Sequence, residues 1–385
     1  MKTLHLGIDV ASQSFMAHLK TEEGISLGKS RSFANMPQGE TELEQWLLNT
    51  LTSTASDRLL IGLEATAFYD WHLADALASS AALLAKVQVK VYRLNALRIS
   101  RFHKSTGEID KTDNVDAGVI ADFVRMGRNL PAPHVAADLY VPLKRLTRYR
   151  CHAVKTLNRE TSHFLTHLFL QYSGFAQQEP LSNLTGTTGL ALVEEFMTPE
   201  EIAAKSLEEL VRFLVDHGKN RFADPEAVAK KVQKAARESY HLRPALARSE
   251  HLILSSLTRN IRSLRDSLQD INRAIADQMK LFPNTLTSLP GVGPVFSAGI
   301  LSEIGDIHRF PDDDALAKMA GLVWPRHQSA DFDAQDRRLL RSANTYLRYY
   351  LVEAANAIRM HDATSPFLWR VPLASGERRS RHSSA

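Results

Sequence analysis

One cysteine, Cys151, stands alone in 385 residues. It excludes any disulfide within the chain, reads as an inert thiol and argues for a reducing cytoplasm. Long hydrophobic runs are also missing. No stretch approaches the ~20 consecutive apolar residues that span a bilayer. The opening Met1-Lys2-Thr3-Leu4-His5-Leu6-Gly7-Ile8-Asp9 meets an acid too early to serve as a secretory leader. No sign of charge dominates either: 47 Lys and Arg against 43 Asp and Glu leave a net +4. That balance neither demands nor forbids a nucleic-acid partner, so the distribution of charge has to decide. The length itself is too great for one ordinary core and calls for two or three domains.

The apolar pattern divides the chain into an α/β part and an α part. Within residues 1–130, Leu4 to Val10 reads as a compact strand, Phe15 to Leu19 as its antiparallel return and Leu27 to Phe33 as a third strand. Helical spacing follows over Glu40 to Leu51. Leu59 to Leu63 is a buried strand, Trp71 to Leu84 a helix, Val87 to Leu94 a strand and Asp113 to Met126 a helix. A three-strand meander followed by alternating strands and helices is the pattern of a ribonuclease-H-like sheet. Leu130-Pro131-Ala132-Pro133-His134 is a linker. Residues 137–280 then form a helical, coiled region: one long helix over Leu139 to Tyr172, a second over Ala245 to Met279, and between them an insertion at about 174–243 without a functional reading. Leu252, Leu257, Ile261, Leu264, Leu268, Ile271 and Ile275 supply an apolar seam. Two such helices suit an antiparallel arm and an element that joins copies of the chain. Residues 281–360 read as a small helical domain, and the Ser/Arg-rich 361–385 as a disordered tail.

Acids fall at chemically suggestive points. Asp9 ends the first strand and Glu64 a later one, while Asp113 and Asp116 share one face at a helix start. Singly, each is equally a turn residue or a helix cap. Together they can converge on one side of a sheet, where four carboxylates repel unless cations neutralise them. An all-oxygen donor set suits Mg²⁺ or Mn²⁺. Basic residues also cluster. Lys144, Arg148, Lys155 and Arg159 lie near one side of the first long helix, a face that can either track phosphates or simply be solvated.

Near the C-terminus, Leu289-Pro290-Gly291-Val292-Gly293-Pro294 resembles a helix–hairpin–helix. Gly291 and Gly293 permit the tight turn, and the helix that follows can offer backbone N–H groups to a phosphate without reading bases. Beyond it, Ala320-Gly321-Leu322-Val323-Trp324-Pro325-Arg326-His327-Gln328-Ser329 leads to Arg337, Arg338 and Arg341. By spacing alone Ser329 is a loop serine. Arg326 and His327 are consistent with a phosphate pocket beside it, and Arg326 and Arg341 with a hold on DNA phosphates.

Taken in order, Gly-Ile-Asp on a first strand, Leu-Glu-Ala-Thr on a later one, Lys-Thr-Asp-x-x-Asp-Ala on a helix, and Ser329 after an Ala-Gly-Leu segment resemble the DEDD transposases of bacterial insertion sequences. The match covers residues 1–130 and 245–360. This resemblance implies a RuvC-like N-terminal fold and a Mg²⁺ site at Asp9, Glu64, Asp113 and Asp116. It implies a catalytic serine at Ser329, a structured guide RNA, and double-stranded donor and target DNA. It also implies a homo-oligomer, dimer or tetramer, in which the serine of one subunit meets the acidic site of another. Ala330 departs from the usual Gly, Arg341 from Lys and Ala343 from Gly. The tail departs from the usual basic helix and reads as a truncated or frame-shifted ending. Three other readings compete. One is a junction-resolving nuclease that uses water as nucleophile. Another is an inactive nucleic-acid-binding remnant of a decayed element. The last is an actin-like sugar kinase, which lacks here its second phosphate loop and glycine-rich adenosine segment.

Overall fold

The computed structural model describes residues 2–106, 113–127, 130–136, 138–323, 328–329, 332–333 and 343–361. They fall in two compact units, Met1–Leu139 and Tyr140–Ala385. No described helix is long and apolar enough to cross a membrane.

In the first unit the chain runs β1 (Thr3–Val10), β2 (Ser14–Lys20), β3 (Arg31–Ala34), α1 (Pro37–Thr54), β4 (Arg58–Glu64), α2 (Trp71–Ser79), α3 (Ala81–Lys86), β5 (Gln88–Leu94), α4 (Ala96–Thr106) and α5 (Asp113–Met126). The five-stranded sheet has the order β3-β2-β1-β4-β5. β1 pairs antiparallel with β2, and β2 with β3; β4 runs parallel to both β1 and β5. This is the mixed sheet that the meander-then-crossover pattern predicts. Side chains alternate across it. Leu4, Leu6, Ile8, Leu59, Ile61 and Leu63 enter one core with Leu43, Leu47 and Leu51 of α1 and Leu73 and Leu77 of α2. The opposite face carries Tyr92 and Leu94, which pack with Ile99, Val119, Ile120 and Val124 of α4 and α5.

On that second face α5 touches the sheet backbone. A Cβ on Gly7 would lie 2.0 Å from the Ala117 carbonyl oxygen and 2.3 Å from the Ala121 nitrogen, while one on Gly62 would strike the Val124 side chain at 2.4 Å. Gly7 and Gly62 are register partners on β1 and β4. Small residues on both surfaces thus let helix and sheet meet at closer than side-chain distance. The direction of α5 follows from its contacts. Ala117 lies over Gly7, whereas Asp122 pairs with Lys20, the partner of His5. The helix therefore runs back along β1, and its first turn sits toward the strand's C-terminal end.

In the second unit, α6 (Tyr140–Gln171) is followed by five shorter helices, α7 (Gly174–Gln178), α8 (Thr187–Glu195), α9 (Pro199–Ala204), α10 (Leu207–Gly218) and α11 (Pro225–Arg237). Next come α12 (Pro244–Met279), α13 (Pro294–Ile304), α14 (Asp313–Ala320), the short pair β6 (Gln328–Ser329) and β7 (Phe332–Asp333), and α15 (Thr345–His361). α6 and α12 are antiparallel, since Arg150 bonds Asn272, Glu160 meets Asn260 and His167 meets Glu250. Ala247, Leu254, Ile261, Leu268 and Ile275 are all buried at seven-residue spacing, the signature of helices wound along a common seam. The insertion, which has no functional reading from sequence, is helical, and three of its five short helices carry a side-chain start signal. Thr198 caps α9, Ser206 and Glu209 form a capping box on α10, and Asp224 caps α11. Their apolar faces close over Phe164 and Leu168 of α6 and Tyr172 just past its end.

Three sequence expectations change. Leu252 is 67% exposed; Leu254 takes the seam position instead, two residues on, because the buried stripe follows the heptad through Ile261. The helix expected over Trp71 to Leu84 is broken at Ser80, whose hydroxyl accepts from the Leu83 N–H and so starts a new helix. The third strand is shorter than Leu27 to Phe33, since Gly28 adopts a positive φ of 86° before it begins.

Candidate active-site edge and nucleic-acid contacts

Asp9 and Glu64 each follow the last registered pair of β1 and β4, Ile8 with Leu63. By alternation Asp9 shares the face of Gly7, and Glu64 that of Gly62, so both acids lie on the side covered by α5. Both are partly exposed. The Thr66 hydroxyl donates to Glu64 at 3.4 Å. Asp113 opens α5; its side chain lies outside the described residues. Asp116, one turn on, is half-buried, and its Oδ1 faces His103 Nδ1 of α4 at 3.4 Å. The strand register and the direction of α5 thus bring the four expected positions to one edge of the sheet. Among the described residues, no three His, Cys, Asp or Glu side chains are grouped tightly enough to hold a metal ion.

Sequence reading missed two residues here. His103 belongs to α4, a helix with no expected counterpart, and its contact with Asp116 is tertiary. Asp70 follows Glu64 by one short loop and is wholly buried. It accepts from Arg93 Nε at 2.5 Å and Nη2 at 2.9 Å, and the guanidinium lies 4.8 Å from the Trp71 ring centroid. This pair braces the connection from Glu64 to α2. An acid before a tryptophan carries no such signal, because its partner comes from the next strand.

On α6, Lys155 and Arg159 stand exposed, as a phosphate-tracking face requires, and Lys144 is half-buried. Arg148 is exposed as well but already engaged. Its Nε and Nη2 donate to Oε1 and Oε2 of Glu303 at 2.6 and 2.8 Å, and Glu303 has 1% side-chain exposure. A phosphate at Arg148 would have to be met by Nη1 and the second Nη2 hydrogen, since the other two donors serve the buried carboxylate. Cys151 is buried, and burial pushes its thiol up, in keeping with an inert role.

Gly291 has φ +82°, and a Cβ there would meet the His361 ring at 2.7 Å and the Ala357 carbonyl at 2.8 Å. Glycine is needed at that position for conformation and for the approach of α15. Gly293 caps α13, with Pro294 in its first turn, and a Cβ there would meet open space. The arm before this turn is a single 3-10 turn, Leu286–Ser288, rather than a full helix. Ser329 lies in β6, paired with Phe332 of β7; its side chain, and all of Arg326 and Arg341, lie outside the described residues.

Comparisons with known proteins agree with this layout. Residues 6–172 match the model of the DEDD transposases of the IS110 type, and residues 284–368 match that of the "Transposase IS116/IS110/IS902 family". The chain is 27% identical over 230 residues to the uncharacterized 44.8 kDa protein of insertion element IS116 from Streptomyces clavuligerus, covering 59% of this chain and 55% of the relative. It is 25% identical over 249 residues to the uncharacterized 42 kDa protein of insertion element IS900 from Mycobacterium paratuberculosis, covering 60% and 59%. The match thus spans a little over half the length of these relatives. Among solved structures, T. thermophilus RuvC in complex with a Holliday junction substrate is similar at 14% identity and a TM-score of 0.24, covering 34% of this chain and 99% of that one. With its N-terminal and C-terminal parts each matched in the family's order, this chain belongs to the IS110 family of transposases.

Proposed function

We propose that this chain cuts and rejoins DNA strands to move its insertion element, with Asp9, Glu64, Asp113 and Asp116 as its metal-binding edge and Ser329 as its nucleophile. The observation that carries the reading is the shared edge. Two adjacent parallel strands carry Asp9 and Glu64 at their C-terminal ends on the face covered by α5, and α5 begins at that same end. Its donors are all oxygen, which fits hard Mg²⁺ or Mn²⁺. When bound, such ions supply charge stabilisation to the scissile phosphate and its leaving oxygen. Asp9 and Glu64 hold their carboxylates on a rigid sheet, so little reorganisation is needed when the phosphate arrives.

In this reading the Ser329 hydroxyl attacks the scissile phosphorus. A phosphoserine P–O bond forms, one strand P–O bond breaks, and the departing strand hydroxyl takes up a proton. Attack by another strand's hydroxyl on the phosphoserine reverses the exchange, so rejoining needs no ATP. Lys155 and Arg159 contact backbone phosphates and carry no sequence information. Base reading is delegated to a structured guide RNA that pairs with double-stranded donor and target DNA, as the family resemblance implies. The α6 and α12 pair contributes to a homo-oligomer.

The metal edge is tested by Mn²⁺ binding, followed by the loss of free-ion paramagnetic resonance signal, in parallel with strand cleavage. Asp9→Asn and Glu64→Gln should weaken ion uptake and abolish cleavage while circular dichroism stays that of the parent. Parental Mn²⁺ uptake together with parental cleavage in these variants would place the chemistry elsewhere.

A further inference from the structure

α14 ends at Ala320 and α15 begins at Thr345, and the residues between them include Ser329. Its two ends are tied to each other. The Asn344 N–H donates to the Met319 carbonyl at 2.8 Å, and Arg348 Nε donates to the Ala320 carbonyl at 2.9 Å. Asn344 does two further things with its side chain. Its Oδ1 accepts from the Tyr346 and Leu347 N–H groups, both at 3.1 Å, and so caps α15; its Nδ2 donates to Glu303 Oε2 at 2.8 Å.

Glu303 projects from α13 and is 2% exposed. Both its oxygens are taken by Arg148, and one also by Asn344. Hydrogen bonding to Glu303 pushes the Arg148 guanidinium above its ordinary range. The Arg148 guanidinium also lies 4.8 Å from the centroid of Tyr346, two residues past Asn344. An ion pair to a buried carboxylate adds little net stability over an apolar substitute, because desolvation offsets the attraction. What it supplies is geometry: a charged acceptor whose position is fixed by α6 and α13 and whose remaining donor comes from the foot of the Ser329 segment.

We infer that Glu303, Arg148 and Asn344 are positioning residues that fix the base of the segment bearing Ser329. Its relevance to strand transfer rests on the reading of Ser329 as nucleophile; the positioning itself does not. The polarity of the network makes it testable by exchange. Glu303→Gln puts an amide donor against the Asn344 amide donor. Turning Asn344 over to relieve that clash would aim its NH₂ at the helix N–H groups and lose the cap. Asn344→Asp puts two carboxylates together. The double variant Glu303→Gln/Asn344→Asp restores a donor–acceptor pair between the two side chains, offers Arg148 Nη2 the Asp carboxylate in place of the lost Oε2, and retains an oxygen cap on α15.

The experiment uses the full chain in a Cys151→Ala background, with nitroxide labels at Asp333→Cys and Ile307→Cys and the distance between them read by pulsed electron paramagnetic resonance. The parent should give one narrow distribution, each single variant a broadened or shifted one, and the double variant the parental one. Protein–DNA adduct formation on a suicide substrate should slow about 100-fold in the single variants, as a displacement near 1 Å costs, and recover to within about tenfold in the double, with DNA binding unchanged throughout. Should Glu303→Gln fail to fold, Asn344→Ser removes the donor to Glu303 while keeping an oxygen cap, and it is read in the same way. Distributions in the single variants as narrow and as centred as in the parent would overturn the inference, as would a parent already as broad as they are. A parent that forms no adduct would instead defeat the nucleophile reading and leave the label result to decide the positioning.

Discussion

Substituting Gly7 with alanine puts the contact between α5 and the sheet under direct stress. The added methyl would sit 2.0 Å from the Ala117 oxygen, whereas ordinary van der Waals contact begins at 3.4 Å. α5 must therefore withdraw by about 1.4 Å, and the obstacle is helix backbone, which cannot rotate aside. Overpacking of a close-packed core costs about 1–3 kcal/mol, and a rigid obstacle places Gly7→Ala at the upper end, ~3 kcal/mol. Gly62→Ala is the control. Its methyl meets the Val124 side chain at 2.4 Å and the Leu94 side chain at 3.0 Å, both able to shift rotamer, so ~1 kcal/mol is expected. Hydrogen–deuterium exchange of peptides spanning β1 and α5 reads the difference without assuming that the whole chain unfolds in one step. Gly7→Ala should raise exchange there roughly 100-fold, the equivalent of ~3 kcal/mol, and Gly62→Ala by less than about tenfold. Because α5 carries Asp113 and Asp116, cleavage should fall with Gly7→Ala as well. Parental protection in Gly7→Ala, or a smaller effect than in Gly62→Ala, would refute the close approach and with it the shared acidic edge.

Two further outcomes follow from packing and charge. Ile261→Ala, at a fully buried seam position, should destabilise the second unit by about 2–5 kcal/mol, whereas Leu252→Ala, which is largely exposed, should stay within about 0.5 kcal/mol; thermal unfolding distinguishes them, and equal effects would restore Leu252 to the seam. His5 and His18 are both held below the ordinary 6.5 by burial. The unfolded chain therefore takes up protons first as pH falls, so the stability of the first unit should be full above about 6.5 and decline below it; unfolding between pH 7.5 and 5.5 should show this slope, and His5→Asn/His18→Gln should flatten it.

The strands and the acidic edge were legible because both rest on short-range pattern. Period-two alternation marks β1 and β4, and an acid at the end of each needs only strand register to come together. α5 was legible for the same kind of reason: Val119, Ile120 and Val124 repeat at helical spacing. What could not be read depends on partners distant in sequence. Arg148 reads as one more cation on a basic face until Glu303, on a helix far along the chain, takes its guanidinium. The bracing of Asp70 by Arg93 and the contact of Asp116 with His103 are tertiary in the same sense. Leu252 misleads for another reason: an apolar side chain near a seam looks like a seam residue, and only the heptad through Leu254 and Ile261 tells which side faces α6. Gly291 reads as a turn residue that frees a backbone for phosphate, yet its positive φ and its contact with Ala357 and His361 give it a packing role that the motif alone does not reveal.

The central claim is that strand transfer passes through a covalent bond to Ser329. A suicide DNA substrate, incubated with the chain, Mg²⁺ and the guide RNA and resolved on a denaturing gel, tests it most directly. The parent should yield a DNA-linked protein, and Ser329→Ala should yield none while still binding RNA and DNA. An adduct that persists in Ser329→Ala, or clean cleavage by the parent with no adduct at all, would contradict the account.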